Sequence, residues 1–569
     1  MPLEISFALG DLRASRRSIE VIDNQGPAGP SSISIHATRI LALTFSLTTA
    51  SPHRSEMFDL VIKNGRLVTA SEVLPPGLDL GIKGEKIAYI GVPLPDIEDV
   101  PVIDAEGAYV TPGGIDSHVH IDQGNHPTTD KWEDASKSAI AGGNTTVLAF
   151  AQQKRHEMSL YTCLEDYNAK AGDKSYCDYG FHLILSNPTE QILAEELPRF
   201  VMEEGITSVK LYMTYDPLKL NDGELLDVMM TTRALGMTTM VHAENHDMVS
   251  MVIERLEANR RGDPFYHSVE RPQLVESEAT YRIISLAELT DTPILIVHMS
   301  AETAIKHVRE AQARLLPIHA ETCPHYLFLR SDSLAKPDFE GAKYVCSPPL
   351  RHQQSDLDAT WQAITNGTFT TFSSDHCPDK HDHPCGKRKG LDADGQSNFK
   401  SIPNGLPGVE TRLPLLFNEA GEQSHHKLSL SRFVELTSTN PAKLYGLADQ
   451  KGSLSPGLDA DIVVWHPPGH RFEPGSQELT ITNSMLHHSC DYTPFEGFKV
   501  TNWPRKVLLR GKLVWNRDQG GIIGKQGYGR FVKRGKSTIL TGRMGITPEG
   551  MYSGEPDLWR KQQSQDRRA

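Results

Sequence analysis

Val110-Thr-Pro-Gly-Gly-Ile-Asp-Ser-His-Val-His120 is the stretch on which the fold turns: a short β-prone run closed by two histidines at i and i+2. In an extended chain alternate side chains share a face, so His118 and His120 point the same way. Asp116 falls on the same alternation and is placed to buttress a ligand. Two imidazoles on one face can chelate a metal, although a lone pair of this kind is also common on surfaces. What decides between these readings is the rest of the chain.

Four further apolar runs end on, or carry near their ends, a residue able to bind metal. They are Ser208–Met213 with Lys210, Thr238–His242, Ile294–His298 and Phe369–Asp375. Thr145–Phe150, Phe181–Leu185 and Leu316–Ala320 complete a set of eight candidate strands. Helix-like stretches separate most of them: Lys131–Ala141, Gln191–Glu204, Asp222–Leu235, Glu276–Leu289 and Ala301–Ala313. Eight such alternations predict an α/β fold, a (β/α)8 TIM-like barrel, in which the C-terminal ends of the strands share one mouth.

The flanks read differently. Asp59-Leu-Val-Ile-Lys-Asn-Gly-Arg-Leu-Val68 is strand, Asn-Gly turn and strand, and Leu80–Lys83 with Lys86–Ile90 repeats the pattern. Short strands return at Ala460–Trp465, Lys506–Leu509 and Lys512–Trp515. A small β-sandwich built from residues 57–108 and 448–535 therefore flanks a barrel over 109–447. Residues 1–56, rich in Ser, Ala and Pro, read as a disordered extension, and 536–569 as a tail. Glu4, Asp11 and Glu20 weigh against an import sequence, and Ile40–Leu47 is too short and too late for a secretory signal.

Bulk properties narrow the classes. The chain has 569 residues and a net charge of −14, 58 basic against 72 acidic, which opposes a nucleic-acid surface. Apolar stretches such as Pro293–Val297 are strand-length, so no membrane partner is expected. Seven cysteines without a CxxC pair favour reduced thiols and a cytoplasmic protein.

Lys210 admits two readings. Buried, it sheds its proton easily, and the neutral amine can take up carbon dioxide as a carbamate with two ligand oxygens; at a strand end it can instead snorkel to solvent. His242 and His298 singly could be core histidines, and Asp375 could cap a loop. Together, at one barrel mouth, the six make a site for two divalent cations that activate water.

The motifs then become specific. Gly113-Gly-Ile-Asp-Ser-His-Val-His120, Val209-Lys-Leu-Tyr-Met-Thr-Tyr215, Glu321-Thr-Cys-Pro-His-Tyr-Leu327, Cys346-Ser-Pro-Pro-Leu-Arg351, Ser374-Asp-His-Cys-Pro378, Ile402-Pro-Asn-Gly405 and Gly457-Leu-Asp-Ala-Asp-Ile-Val-Val-Trp465 resemble the amidohydrolase superfamily. Within it they are most similar to the dihydropyrimidinase and hydantoinase family, from about Phe58 to Lys533. The resemblance implies two Zn²⁺ per subunit, one held by His118, His120 and Asp375 and the other by His242 and His298. N6-carboxylated Lys210 and a hydroxide bridge them. It further implies Asp375 as proton carrier, Tyr215 as oxyanion donor, and Ser347 and Asn404 as main-chain holders of a cyclic ureide or imide. The implied reaction opens 5,6-dihydropyrimidines to N-carbamoyl-β-amino acids, or hydantoins to N-carbamoyl amino acids, in a homotetramer built partly through the C-terminal segment.

Relatives are weighed on single residues. Dihydroorotase carries an Arg two residues after the second histidine, where this chain has Asp122, which would repel a substrate carboxylate. Allantoinase differs after the lysine. Non-catalytic dihydropyrimidinase-like scaffolds have lost ligands, whereas all six positions are filled here. The loop Ile121–Asp130 and the charged segment Asp379–Gln396 depart from the family pattern, leaving the ring substituent open. Cys377, His381, His383 and Cys385 have a spacing that could bind another metal, with a solvated loop as the alternative. His319 and His325 are expected to pack or hydrogen-bond outside the ligand set.

Overall fold

The computed structural model describes residues 57–95, 99–421, 425 and 428–539. The expected extension over 1–56 and most of the tail after 535 lie outside the described residues. Eight parallel strands pair in chain order: β1 Gly114–Val119, β2 Asn144–Gln152, β3 Asp178–Ile184, β4 Ser208–Tyr212, β5 Thr238–His242, β6 Ile294–Ile296, β7 Ile318–Thr322 and β8 Thr371–Phe372. The ring closes where Val119 meets His376 in a parallel bridge and the His120 N–H donates to the His376 carbonyl at 2.7 Å. The (β/α)8 barrel expected from the alternation is therefore present.

Two-residue alternation sorts the strand side chains. Val147, Ala149, Val209, Leu211, Val241, Ile294 and Ile296 join the core shared with the surrounding helices, including Ala139, Ile140, Ile283 and Ala304. Leu148, Phe150, Ile184, Tyr212, Met240 and Leu295 fill the barrel axis, with Leu444 and Tyr445. Lys210 shares the parity of Tyr212 and so points inward.

The helices between strands form where an apolar face repeats and a cap is available. Asp222–Leu235 starts with a reciprocal capping box between Asn221 and Glu224 and stops at Gly236 (φ 69°). The expected helix Gln191–Glu204 is helical but contains two wide π turns, Ile192–Glu196 and Phe200–Glu204, on either side of Pro198, which has no N–H to donate. Helices Tyr161–Ala171 and Gln354–Thr365 were not anticipated. The buried face of the first is Cys163, Leu164, Tyr167, Lys170 and Ala171: helical in spacing, but mixed in residue type.

The run Val110–His120 is two strands. Tyr109–Pro112 pairs antiparallel with Ile462–Val464 in a six-stranded sheet of the small domain, and the barrel strand begins at Gly114. A Cβ at Gly113 would lie 2.2 Å from Thr145 Oγ1, so only glycine lets the chain pass from one sheet to the other. The second sheet of this domain has the order Lys86–Gly91, Asp79–Lys83, Leu60–Lys63, Val102–Asp104. Ile62, Leu80 and Ile82 from that sheet pack on Val110, Ile462 and Leu508, which joins both flanks of the chain in one β-sandwich core.

Candidate functional site

All six predicted ligands reach the C-terminal mouth of the barrel. His118 Nε2 lies 3.1 Å from Asp375 Oδ1 and 3.3 Å from Lys210 Nζ. His120 Nε2 lies 3.4 Å from the same Asp375 oxygen. The His118 and His298 rings are 5.3 Å apart between centroids, and those of His242 and His298 are 4.5 Å apart. Ligand atoms of His118, His298 and Asp375 fall within 4.8 Å of one another.

Three site residues hold a left-handed backbone. His298, Asp375 and Tyr215 hold φ of 40°, 49° and 69°, a region L-residues seldom occupy, at a cost of roughly 1–3 kcal/mol each. For His298 the consequence is visible. Leu295 and Val297 face the barrel axis, so simple alternation would turn His298 outward; the left-handed turn brings its ring back to the mouth.

The far nitrogens of three of the four imidazoles are anchored by acceptors. His118 Nδ1 bonds Glu321 Oε1 at 2.7 Å, and His120 Nδ1 bonds Gln123 Oε1 at 2.5 Å, so each presents Nε2 to the centre. His242 Nε2 bonds Glu244 Oε2 at 2.7 Å, and Arg271 Nη1 donates to the same oxygen at 2.8 Å. His298 Nδ1 is buried without a partner. Metal-ligating histidines characteristically have one nitrogen oriented by an acceptor and the other free. The donor set of imidazoles and a carboxylate fits zinc-like cations.

Most charge states agree with ligand duty; in the metal-free site His118 differs, because burial and Lys210 lower its imidazole but Asp375 and Glu321 outweigh them and raise it. Burial drives His298 far below the ordinary imidazole value and, against Glu244, lowers His242 too, so both are neutral. Burial alone would raise Asp375, but His118, His120 and His298 hold its carboxyl well below the usual range. Lys210 is fully buried, and desolvation brings it down to about 8 in spite of Asp375 and Glu321. The structure thus favours the buried reading of Lys210 over snorkelling.

Beside the ligands opens a cavity of about 310 Å³. Tyr215, Ser347 and Asn404 line it together: Asn404 Nδ2 donates to Ser347 Oγ at 3.0 Å and to Tyr215 Oη at 3.3 Å. Burial raises the Tyr215 phenol, which stays a hydrogen-bond donor at neutral pH. Another wall is polar, with Gln123 Nε2 donating to Gln152 Oε1 at 2.6 Å.

Among the other residues singled out in the sequence, some expectations hold and others do not. Asp116 braces the ligands through their main chain and not through an imidazole: its Oδ1 accepts from the backbone N–H groups of His118 (3.4 Å) and Ser374 (3.1 Å), and it pairs with Arg412 (3.5 Å). Glu321 is the residue that braces the His118 imidazole. Asp122 is bound to Lys131 Nζ at 2.6 Å and is absent from the cavity wall, so it does not confront a substrate carboxylate. Cys377, His381, His383 and Cys385 do not gather: Cys377 lines the cavity, His381 bonds Asp382 and Phe339, and Cys385 is exposed. As expected, His319 bonds Thr370 Oγ1 at 3.0 Å and His325 packs on Tyr326. Asp178, Asp459 and Asp461 also cluster, but Lys451 Nζ already occupies their centre.

Glu244, Glu321, Gln123 and Arg271 were missed in the sequence. Glu244 stands two residues after His242 and Glu321 two after His319, on the inward parity of their strands; that alternation was the available signal. Among the described residues no helix is long and apolar enough to cross a membrane, and all seven cysteines are free thiols.

The model of the amidohydrolase family matches residues 109–514. A D-hydantoinase of Ralstonia pickettii is 41% identical over 481 residues, covering 84% of this chain and 99% of that protein. A D-hydantoinase of Geobacillus stearothermophilus is 40% identical over 483 residues, covering 84% and 97%. The crystal structure of a dihydropyrimidinase from Brevibacillus agri superposes with a TM-score of 0.78 at 40% identity, over 84% of this chain and 99% of that one.

Proposed function

The chain belongs to the amidohydrolase family, and from that premise we propose that it is a cyclic amidohydrolase that opens 5,6-dihydropyrimidines, and hydantoins less readily, with two zinc ions. The observation that supports this most is the meeting of His118, His120, His242, His298, Asp375 and a desolvated Lys210 at one barrel mouth, beside a cavity of substrate size. In this reading His118, His120 and Asp375 would hold one ion and His242 and His298 the other, with carboxylated Lys210 as a ligand to the pair. When bound, the two cations supply Lewis acidity and lower the pKa of water.

The remaining chemistry falls to the chain itself. The neutral amine of Lys210 is accessible below the usual lysine range, as carbamate formation requires. Tyr215 Oη donates to the carbonyl oxygen as negative charge gathers there. Asp375, held ionised by its histidines, accepts the proton of the attacking water and delivers it to the ring nitrogen as the C–N bond breaks. Main-chain groups of Ser347 and Asn404 pair with the ureide or imide edge and set the carbonyl carbon over the centre. The cavity joins a polar wall, the Gln123–Gln152 amide pair, to the apolar surface of Tyr212, Tyr215 and Leu218.

Ring-opening rates of zinc-loaded protein on dihydrouracil, dihydrothymine, 5-substituted hydantoins, allantoin and dihydroorotate test the proposal. Dihydropyrimidines are expected to be fastest and 5-phenylhydantoin slow; preference for allantoin or dihydroorotate would overturn it. The same reading expects a cytoplasmic homotetramer, the assembly being checked by light scattering.

A further inference from the structure

The charged segment Asp379–Gln396 has no part in the reading above, yet it buries a lysine completely. Lys387 Nζ donates to three main-chain carbonyls: Val345 at 3.0 Å, Pro403 at 2.6 Å and Gly405 at 2.7 Å. An ammonium has three N–H donors, and all three are used here without a carboxylate among the acceptors. Those carbonyls belong to two segments. Val345 stands two residues before Ser347, while Pro403 and Gly405 flank Asn404. The segments also touch directly, because the Gly405 N–H donates to the Val345 carbonyl at 3.0 Å.

The consequence for the cavity is geometric. Pro403 and Gly405 give their carbonyls to Lys387, whereas the carbonyl of Asn404 between them is met by Cys377 Sγ at 3.8 Å. Asn404 and Cys377 both line the cavity. Gly405 is required at this turn: its φ is +135°, and a Cβ would lie 2.2 Å from the Cys377 carbonyl. The loop that carries the ammonium is itself tied down, with the Lys387 N–H donating to the Lys380 carbonyl at 2.9 Å.

We propose that Lys387 is a positioning residue for the substrate: by gathering the carbonyls of Val345, Pro403 and Gly405, it turns the main chain of Asn404 and Ser347 toward the ring. The proposal rests on the assignment of Ser347 and Asn404 to the substrate edge. It gives the segment after the eighth strand a task, which is to deliver one ammonium behind the binding wall. Lys387 touches neither the ligand set nor the reacting atoms, so its loss acts on binding of the ring and not on bond breaking.

The test uses full-length Lys387→Met, which keeps the stem, and Lys387→Gln, which keeps part of the donor set, each with zinc content measured. Wild-type protein is assayed first on the ring panel; if it opens none of those rings, the functional reading fails and not this inference. With wild-type active, the expected result is KM for dihydrouracil raised about tenfold or more in Lys387→Met, with kcat within about threefold and zinc unchanged. Lys387→Gln should fall between the two. KM unchanged in both variants, or kcat lost at unchanged KM, would overturn the inference. So would failure of both variants to fold with their zinc, since that assigns Lys387 to stability alone.

Discussion

At the lower end of the barrel, Lys451 Nζ sits among Asp178 at 2.8 Å, Asp459 at 3.0 Å and Asp461 at 2.7 Å. At the upper end, Lys210 Nζ hydrogen-bonds only His118 Nε2 among the described residues, at 3.3 Å. Both are buried, and burial lowers the pKa of both. For Lys451 the three carboxylates more than reverse that, so the charge is locked and ties strand β3 to the strand Ile462–Trp465 of the small domain. For Lys210 nothing reverses it, and the amine is left poised near pH 8. Lys387, with three carbonyls, stands between them: satisfied, but not neutralised. The acceptors around a buried lysine decide whether it serves structure or chemistry.

The sharpest way to break this contrast is to remove each amine. Lys210→Ala should lower ring opening by about 10⁴-fold and zinc from about two ions per chain to about one, with partial recovery on adding short carboxylic acids. Lys451→Met should do the opposite, leaving kcat nearly unchanged while three aspartates lose their cation. Its stability, read from the urea midpoint, should fall by about 3–5 kcal/mol. Glu321→Ala, which frees His118 Nδ1, should weaken zinc binding by about 10–100-fold, measured by competition with a chelator.

The smallest effect is a pH dependence. In metal-free protein Lys210 gives up its proton near 8, whereas the unfolded chain keeps it to about 10.4. Between those values the unfolded state binds more protons, so stability rises with pH across that window, and below 8 the burial penalty is present in full. Wild-type should gain roughly 1–2 kcal/mol over Lys210→Met as pH climbs from 8 to about 10, by denaturant titration. A lysine paired like Lys451 would show no such gain.

Much of this was legible from period and position. Strand-end placement identified His118, His120, Lys210, His242, His298 and Asp375, because a parallel barrel obliges strand ends to share a mouth. What stayed hidden depends on contacts between distant segments. Glu321 reaches His118 across 203 residues and Lys387 reaches Val345 across 42, and no local pattern encodes either. His298 was found by position although its parity pointed the wrong way, since a single left-handed residue cannot be read from alternation. The split of Val110–His120 was missed because both halves are extended; only the crowding of Gly113 against Thr145 marks the border.

The account rests on a two-ion centre joined by a modified Lys210, and anomalous diffraction from zinc-loaded crystals tests it most directly. It predicts two metal peaks, one by His118, His120 and Asp375 and one by His242 and His298, with carboxylate density extending from Lys210 Nζ between them. A single peak, or an unmodified Lys210 turned away from both histidine pairs, would contradict it.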